Sequence, residues 1–258
     1  FITNRLIFCM KKIIETISLP PENLSPQKEI DLDRLYQEEE INFDRLRFID
    51  ASLTAAFVEA KGVCVRNTGI DTPQNTICAL AAVVGDFVHF MAMQKDIYHG
   101  NSGTKAVDEL LVGADIHCFA PSSTFGIFRT MACNSNMSEP PHPKDIFDFH
   151  QQNLLSNKHG FNPCDVDRKW HPTISPFLAA NELRETVHSA AIGAIDYMNE
   201  SDLVEFSLLA LFQGIAFERD LIPNKAAIRI SMDTIVSVAR SIGEVQNHKT
   251  KPSNCSVQ

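Results

Sequence analysis

The stretch that decides the fold is residues 49–93, which read IDASLTAAFVEAKGVCVRNTGIDTPQNTICALAAVVGDFVHFMAM. Apolar residues recur in its first half at steps of three and four: Ile49, Leu53, Phe57, Ala60 and Cys64. The second half repeats the pattern with Ile77, Leu80, Val84, Val88 and Met91. Such spacing predicts two α-helices. The second helix is apolar on nearly every side, and such helices are normally buried in the middle of a domain.

A polar turn separates the two predicted helices. The first helix is expected to end near Lys61, and two glycines follow it. Residues 71–74, DTPQ, favour a helix start, because the first two side chains can accept hydrogen bonds from backbone amides and proline fits the first turn. Gln74 would complete an Asp-x-x-Gln capping box.

Composition and charge exclude several classes of protein. At 258 residues and 44% hydrophobic content, the chain can bury one sizeable core. The net charge of -9 argues against a nucleic-acid surface, which needs a basic field. The seven cysteines form no Cys-x-x-Cys pair, which favours free thiols in a reducing compartment. No apolar stretch of spanning length is free of charges and breakers, so we expect a soluble, intracellular protein without a membrane partner.

The domain organisation is expected to be simple. An N-terminal extension over 1–27 precedes an all-α domain over 28–246, and a disordered polar tail covers 247–258. After the two organising helices, residues 96–175 are interrupted by glycines and prolines and are predicted to form a long irregular insertion.

Shorter elements are predicted within and after this insertion. Apolar periodicity indicates helices over 104–111, 143–155, 177–198, 203–217 and 225–242. Clusters of β-branched and aromatic residues indicate short strands over 116–119 and 125–129.

The sequence predicts no catalytic residue, no metal site and no cofactor. His89 lies in the central apolar helix, where a buried, hydrogen-bonded imidazole is expected. His159, Cys164 and His171 lie close in sequence, but their spacing matches no zinc motif, so loop residues without metal are expected. The pair of aspartates at 145 and 148 shares one helix face, which is typical of surface charge.

Two motifs resemble the ligand-binding domain of nuclear receptors. The first runs from Leu53 through Phe57 to Ala60-Lys61 and resumes, after twelve residues, at Gln74. In that family the third helix ends in an Ala-Lys pair and the fourth begins with Gln at this separation. The second motif, residues 202–212 (DLVEFSLLALF), is similar to the eighth helix of the family.

Further residues extend the resemblance and limit it. Residues 86–94 resemble the fifth helix of tailless-like receptors, whereas Pro73 stands where the family usually has Asp and Leu211 replaces an alanine. Nothing after Ile242 resembles the tenth to twelfth helices, so we expect a chain truncated after the ninth helix.

The resemblance implies a layered helical sandwich that regulates transcription in the nucleus, with the cytoplasm as the alternative location. It implies a groove for coregulator helices of the Leu-x-x-Leu-Leu type, lined by Phe57, Lys61, Gln74 and Cys78. Lys61 would cap the C-terminal carbonyls of the bound helix. In the family, an acidic residue of the activation helix holds the other end of the bound helix, and that activation helix is absent here. The resemblance also implies that a separate zinc module binds DNA. A second receptor would be the dimer partner.

The resemblance also implies where a small lipophilic ligand would lie, if one binds. The predicted pocket residues are Phe48, Ile49, Ser52, Ala82, Val83 and Phe90, for which plain core packing is an equal alternative. Two other functions stay open: an all-helical enzyme with a site in the loops over 142–171, and a helical oligomerising or structural protein.

Overall fold

The structure, a computed structural model, describes residues 43–99, 103–114, 120–135, 137–156, 163, 165–194 and 200–249. These residues form eight α-helices and no strand, which confirms the all-α prediction. The helices are α1 (Phe43–Thr68), α2 (Pro73–His99), α3 (Gly103–Val112), α4 (Thr124–Asn134), α5 (Pro143–Ser156), α6 (Pro176–Ala194), α7 (Glu200–Glu218) and α8 (Asn224–Lys249). The predicted extension over 1–27, the strand over 116–119 and most of the tail lie outside the described residues.

Helix α2 is the centre of the fold. It packs against α1, α3, α6, α7 and α8. Every residue from Asn75 to His89 is buried, as the all-round apolar pattern predicts. The segment Pro73–Gln94 is long and apolar enough to cross a membrane, but 83% of its most apolar window is buried inside the fold, as in a core helix.

Two glycines let helices approach closely around α2. A Cβ at Gly85 would lie 2.6 Å from the carbonyl oxygen of Ile235 and 2.9 Å from the Cβ of Val238 on α8. A Cβ at Gly214 of α7 would lie 2.4 Å from a methyl group of Leu80. Gly85 therefore requires hydrogen in place of a side chain, because the contact is with backbone, whereas a side chain at Gly214 would force the Leu80 methyl group to shift.

Buried polar side chains on α2 fix the elements around it. The Asn75 side chain accepts hydrogen bonds from the backbone amides of Thr173 (2.8 Å) and Ile174 (3.3 Å). Asp86 forms a bidentate pair with Arg184 of α6. The Nδ1 atom of His89 lies 3.0 Å from the carbonyl oxygen of Ala239, which confirms the predicted hydrogen-bonded imidazole.

The predicted irregular insertion over 96–175 is wrong in part, because it contains α3, α4 and α5. The helices over 104–111 and 143–155 were expected, but the predicted strand over 125–129 lies inside α4. Ser123 caps this helix by accepting from the amide of Gly126 at 3.1 Å. A Cβ at Gly126 would lie 1.9 Å from the Ala120 carbonyl oxygen, so only glycine allows the first turn of α4 to pack this closely against the backbone of Ala120.

Several helix ends also differ from the prediction. α1 continues seven residues beyond Lys61 to Thr68, and Gly69 ends it with a φ of 76°. The predicted capping box at residues 71–74 is not formed by these side chains. The Asp71 carboxylate accepts hydrogen bonds from Thr76 and Lys61, and the Gln74 side chain donates to the Lys169 carbonyl oxygen. α8 continues to Lys249 and includes the start of the predicted tail.

Candidate functional site

Lys61 is the predicted site residue with the most distinctive surroundings. Its ammonium nitrogen lies 2.8 Å from an Asp71 carboxylate oxygen and 2.8 Å from a Glu218 carboxylate oxygen. Asp71 belongs to the turn between α1 and α2, and Glu218 is the last residue of α7. One side chain therefore joins three parts of the fold, and we call Lys61, Asp71 and Glu218 the Lys61 cluster.

Aromatic rings form the floor of the cluster. The Lys61 nitrogen lies 5.2 Å from the centre of the Phe57 ring, one helical turn earlier on α1. The Phe57 ring packs at 4.9 Å against the ring of Phe217, with the planes tilted by 54°. An ammonium over a ring face is attracted by the ring's quadrupole, so the Phe57 ring stabilises the position of the Lys61 ammonium.

The cluster combines buried and exposed charge. The side chain of Glu218 is 2% exposed, whereas those of Lys61 and Asp71 are 33% and 34% exposed. Burial lowers the pKa of Lys61, but the hydrogen bond to Asp71 and the interaction with Glu218 outweigh this effect, so the pKa is raised. Lys61 is therefore a persistent cation with one side open to solvent.

Exposed apolar residues lie close in sequence to the two carboxylates that bind Lys61. Ile70 (53% exposed) precedes Asp71, and Phe217 (46% exposed) precedes Glu218. Leu221 (59% exposed) follows in the next turn, where its amide donates to the Glu218 carbonyl oxygen at 2.9 Å. We call Ile70, Phe217 and Leu221 the apolar rim, because each is linked in sequence to a carboxylate that holds Lys61.

The predicted groove is only partly brought together. Phe57 and Lys61 are in contact, but the Gln74 side chain donates to the Lys169 carbonyl oxygen at 3.4 Å. Cys78 is fully buried, with the Thr234 hydroxyl 3.7 Å from its sulfur, and burial raises the pKa of its thiol to about 12. The prediction that Cys78 lines a surface groove is therefore corrected: its side chain faces α8 in the core.

The predicted ligand pocket is divided between core and surface. Ile49, Ala82 and Val83 are buried, and Ser52 is half-buried. Phe48 (52% exposed) and Phe90 (50% exposed) reach solvent instead. Three of the six residues therefore lie in the core and two reach solvent, while the pocket itself stays a prediction.

The alternative site over 142–171 is described only in part. Among the described residues, no group of three His, Cys, Asp or Glu side chains could hold a metal ion. His171 is held by a hydrogen bond of 2.9 Å between its Nε2 and the Val166 carbonyl oxygen. Asp145 and Asp148 are exposed, as expected for surface charge. His159 and Cys164 lie outside the described residues.

Sequence reasoning missed the two partners of Lys61. Asp71 was interpreted only as a helix cap, and Glu218 was given no role, because it follows an apolar helix. An acidic residue directly after a helix that is apolar on most of its surface was the available signal.

No family model, no curated protein and no solved structure matches this chain.

Proposed function

We propose that this chain is a coregulator-binding helical module of the kind found in nuclear-receptor ligand-binding domains. It regulates transcription in the nucleus by binding short amphipathic helices of the Leu-x-x-Leu-Leu type, and a separate zinc module supplies DNA binding. The observation that supports this proposal is the Lys61 cluster, a partly exposed cation whose two carboxylate partners have exposed apolar neighbours in sequence.

The chemistry of the cluster fits the end of a helix. The last four carbonyl groups of an α-helix lack partners within the helix, and they carry partial negative charge. An ammonium has three donors, and the two carboxylates occupy two directions around Lys61. The Lys61 side chain is also 33% exposed, so we infer that its third donor binds the carbonyls of a bound helix.

The apolar rim fits the leucines of such a helix. Leucines at i, i+3 and i+4 form one face of a helix. Ile70, Phe217 and Leu221 are each about half exposed and lie within three residues of Asp71 or Glu218, so burying them against leucine would be favourable. The proposed surface keeps Phe57 and Lys61 and replaces Gln74 and Cys78 with the apolar rim.

The proposal includes no lipophilic ligand and no receptor dimer partner. The predicted pocket residues are divided between core and surface, and no described contact points to a dimer interface of the family type.

The test is binding of a fluorescent Leu-x-x-Leu-Leu peptide, measured by polarisation. Leu221→Ala and Phe217→Ala should each weaken binding about tenfold, because each removes a central apolar contact. Leu178→Ala is the matched control, since Leu178 of α6 is similarly exposed (43%) and lies outside the proposed surface. Peptide binding that is absent, or that all three substitutions weaken equally, would overturn the proposal.

Lys61→Ala adds a test of the charge. It should abolish measurable binding, but it also leaves Glu218 without its cation and should reduce the free energy of unfolding by about 2 kcal/mol. Thermal unfolding of each variant therefore accompanies the binding assay. The Leu221 variant remains informative if the Lys61 variant does not fold, because Leu221 is an exposed side chain.

A further inference from the structure

A chain of hydrogen bonds leads from the core of the fold to the Lys61 cluster. The buried thiol of Cys64 on α1 and the hydroxyl of Thr76 on α2 are hydrogen-bonded to each other. The Thr76 hydroxyl donates to one oxygen of the Asp71 carboxylate at 3.2 Å. The other oxygen of Asp71 accepts from the Lys61 ammonium at 2.8 Å. Asp71 is therefore held by a buried hydroxyl through one oxygen and binds a partly exposed cation through the other.

Thr76 is the fixed end of this contact. It lies in the first turn of α2 and is 0% exposed. Its hydroxyl also lies 3.3 Å from the Thr72 carbonyl oxygen, four residues earlier in the chain. A branched Cβ restricts the side-chain rotamers of threonine in a helix. Packing and the helix backbone therefore determine where the Thr76 hydroxyl points.

Asp71, by contrast, is anchored weakly by the chain around it. It belongs to the turn before α2, and its side chain is 34% exposed. An exposed ion pair contributes little on its own, because water screens the charges and both side chains lose freedom. A hydrogen bond donated to a carboxylate is stronger than one between neutral groups. The bond from Thr76 therefore fixes one oxygen of Asp71 and directs the other towards Lys61.

The protons along the chain favour this direction. Burial raises the pKa of the Cys64 thiol to about 11, so the thiol keeps its proton at neutral pH. The thiol can then donate to the Thr76 oxygen, while the hydroxyl proton remains available for the Asp71 carboxylate. Successive hydrogen bonds polarise one another, so a hydroxyl that accepts one bond donates the next more strongly.

We propose that Thr76 is a positioning residue that holds the Asp71 carboxylate on Lys61. Its effect on peptide binding rests on the proposed function: a bound helix shares the Lys61 ammonium with Asp71, and Thr76 keeps this competitor in place. Glu218 does not depend on Thr76, since its own side chain is 2% exposed and is fixed at the end of α7. Thr76 therefore lowers the affinity for the peptide although it is fully buried and cannot touch it.

The test measures how fast acetic anhydride acetylates the Lys61 amine in the full chain at about pH 8, because only the deprotonated amine reacts. Burial lowers the pKa of Lys61, but the contacts with Asp71 and Glu218 outweigh it and raise the pKa. Loss of the Asp71 contact therefore increases the reactive fraction. Peptide mapping gives the rate for Lys61 relative to Lys225, an exposed lysine of α8.

Two variants separate the hydroxyl of Thr76 from its shape. Thr76→Val removes the hydroxyl and keeps the branched side chain, and it should speed acetylation of Lys61 at least about twofold. Thr76→Ser keeps the hydroxyl and should stay near the wild-type rate. Asp71→Asn should also speed acetylation, and adding Thr76→Val to it should cause no further increase, because the hydroxyl acts through that carboxylate.

Thr234→Val is the matched control for the loss of a buried hydroxyl. Thr234 of α8 is 0% exposed, and its hydroxyl lies 3.7 Å from the Cys78 sulfur. This variant should leave the acetylation rate of Lys61 unchanged. An equal increase in both valine variants would show that a loosened fold, and not the position of Asp71, exposes the amine, and it would overturn the proposal.

Binding of the Leu-x-x-Leu-Leu peptide then separates this inference from the proposed function. Thr76→Val should raise the affinity about two- to fivefold, by the same factor as Asp71→Asn. If the wild type binds no peptide, the proposed function fails, and the acetylation rates still decide the role of Thr76. An unchanged acetylation rate in Thr76→Val, or a further increase in the double variant, would overturn that role.

Discussion

Lys61 and Arg240 each lie over an aromatic ring and bind carboxylates from other parts of the fold, and they differ in how completely they are enclosed. Arg240 of α8 lies 4.1 Å from the centre of the Phe147 ring and binds both oxygens of Asp108 at 2.8–3.0 Å. Its side chain is 17% exposed. Lys61 lies farther from its ring, is 33% exposed and divides its charge between two carboxylates.

The difference separates an enclosed ion pair from one that is partly open to solvent. The planar guanidinium matches one carboxylate with several donors, so Arg240 joins α3, α5 and α8. An ammonium is a point charge that can exchange one partner for another. Lys61 is more exposed than Arg240, and the binding proposal therefore rests on the Lys61 cluster, although both sites combine a cation, a ring and carboxylate.

The largest effect is expected at the enclosed site. Arg240→Ala should reduce the free energy of unfolding by about 2–3 kcal/mol, because Asp108 loses its bidentate partner and Phe147 loses the stacked cation. Urea denaturation measures this change. Arg240→Lys should recover only part of it, since lysine cannot make the paired contacts. Full recovery by lysine would show that charge alone matters there, and the contrast with Lys61 would fail.

A smaller effect is expected at the open site. Asp71→Asn should raise the affinity for the Leu-x-x-Leu-Leu peptide about two- to fivefold, because it releases Lys61 from one carboxylate, while stability falls by less than ~1 kcal/mol. Asp220→Asn is the matched control, since Asp220 lies near Glu218 in sequence and is 90% exposed. Weaker peptide binding by Asp71→Asn would mean that Asp71 positions the ammonium instead of competing for it.

The smallest effect concerns pH. Burial raises the pKa of Asp108, and Arg240 offsets part of this rise. A carboxyl group with a raised pKa binds its proton more tightly in the folded state, so its contribution favours folding at low pH and is lost as the pH rises through the folded pKa. As the pH rises above the ordinary carboxyl range near about 4, the stability of the wild type relative to Asp108→Asn should fall.

Chemical denaturation at several pH values measures this slope. Asp148→Asn provides the control, because Asp148 is 54% exposed and should give no comparable slope. A slope of opposite sign would show that Arg240 outweighs burial at the enclosed site.

The sequence predicted the long helices because their apolar residues repeat over many turns. The buried position of α2 and the hydrogen-bonded His89 followed from this pattern. The same pattern could not orient α2, because a helix that is apolar on all sides has no preferred face. This explains why Cys78 was assigned to a groove although it packs against α8.

Short elements and tertiary ion pairs were harder to predict. Phe125, Ile127 and Phe128 resemble a strand by composition, but the Ser123 cap and the close approach at Gly126 produce a helix. The Lys61 cluster joins residues that are ten and 157 positions from the lysine. No local pattern encodes a contact of that separation, so only the packing of α7 against α1 shows it.

The close approach at Gly85 has a consequence for recognising relatives of this chain. Any side chain there would meet the backbone of α8, so a descendant sequence can drift widely elsewhere and still be forced to keep hydrogen at that crossing. Distant relatives of this chain should therefore be sought by a glycine at this helix crossing, and at similar close contacts, instead of by overall sequence identity.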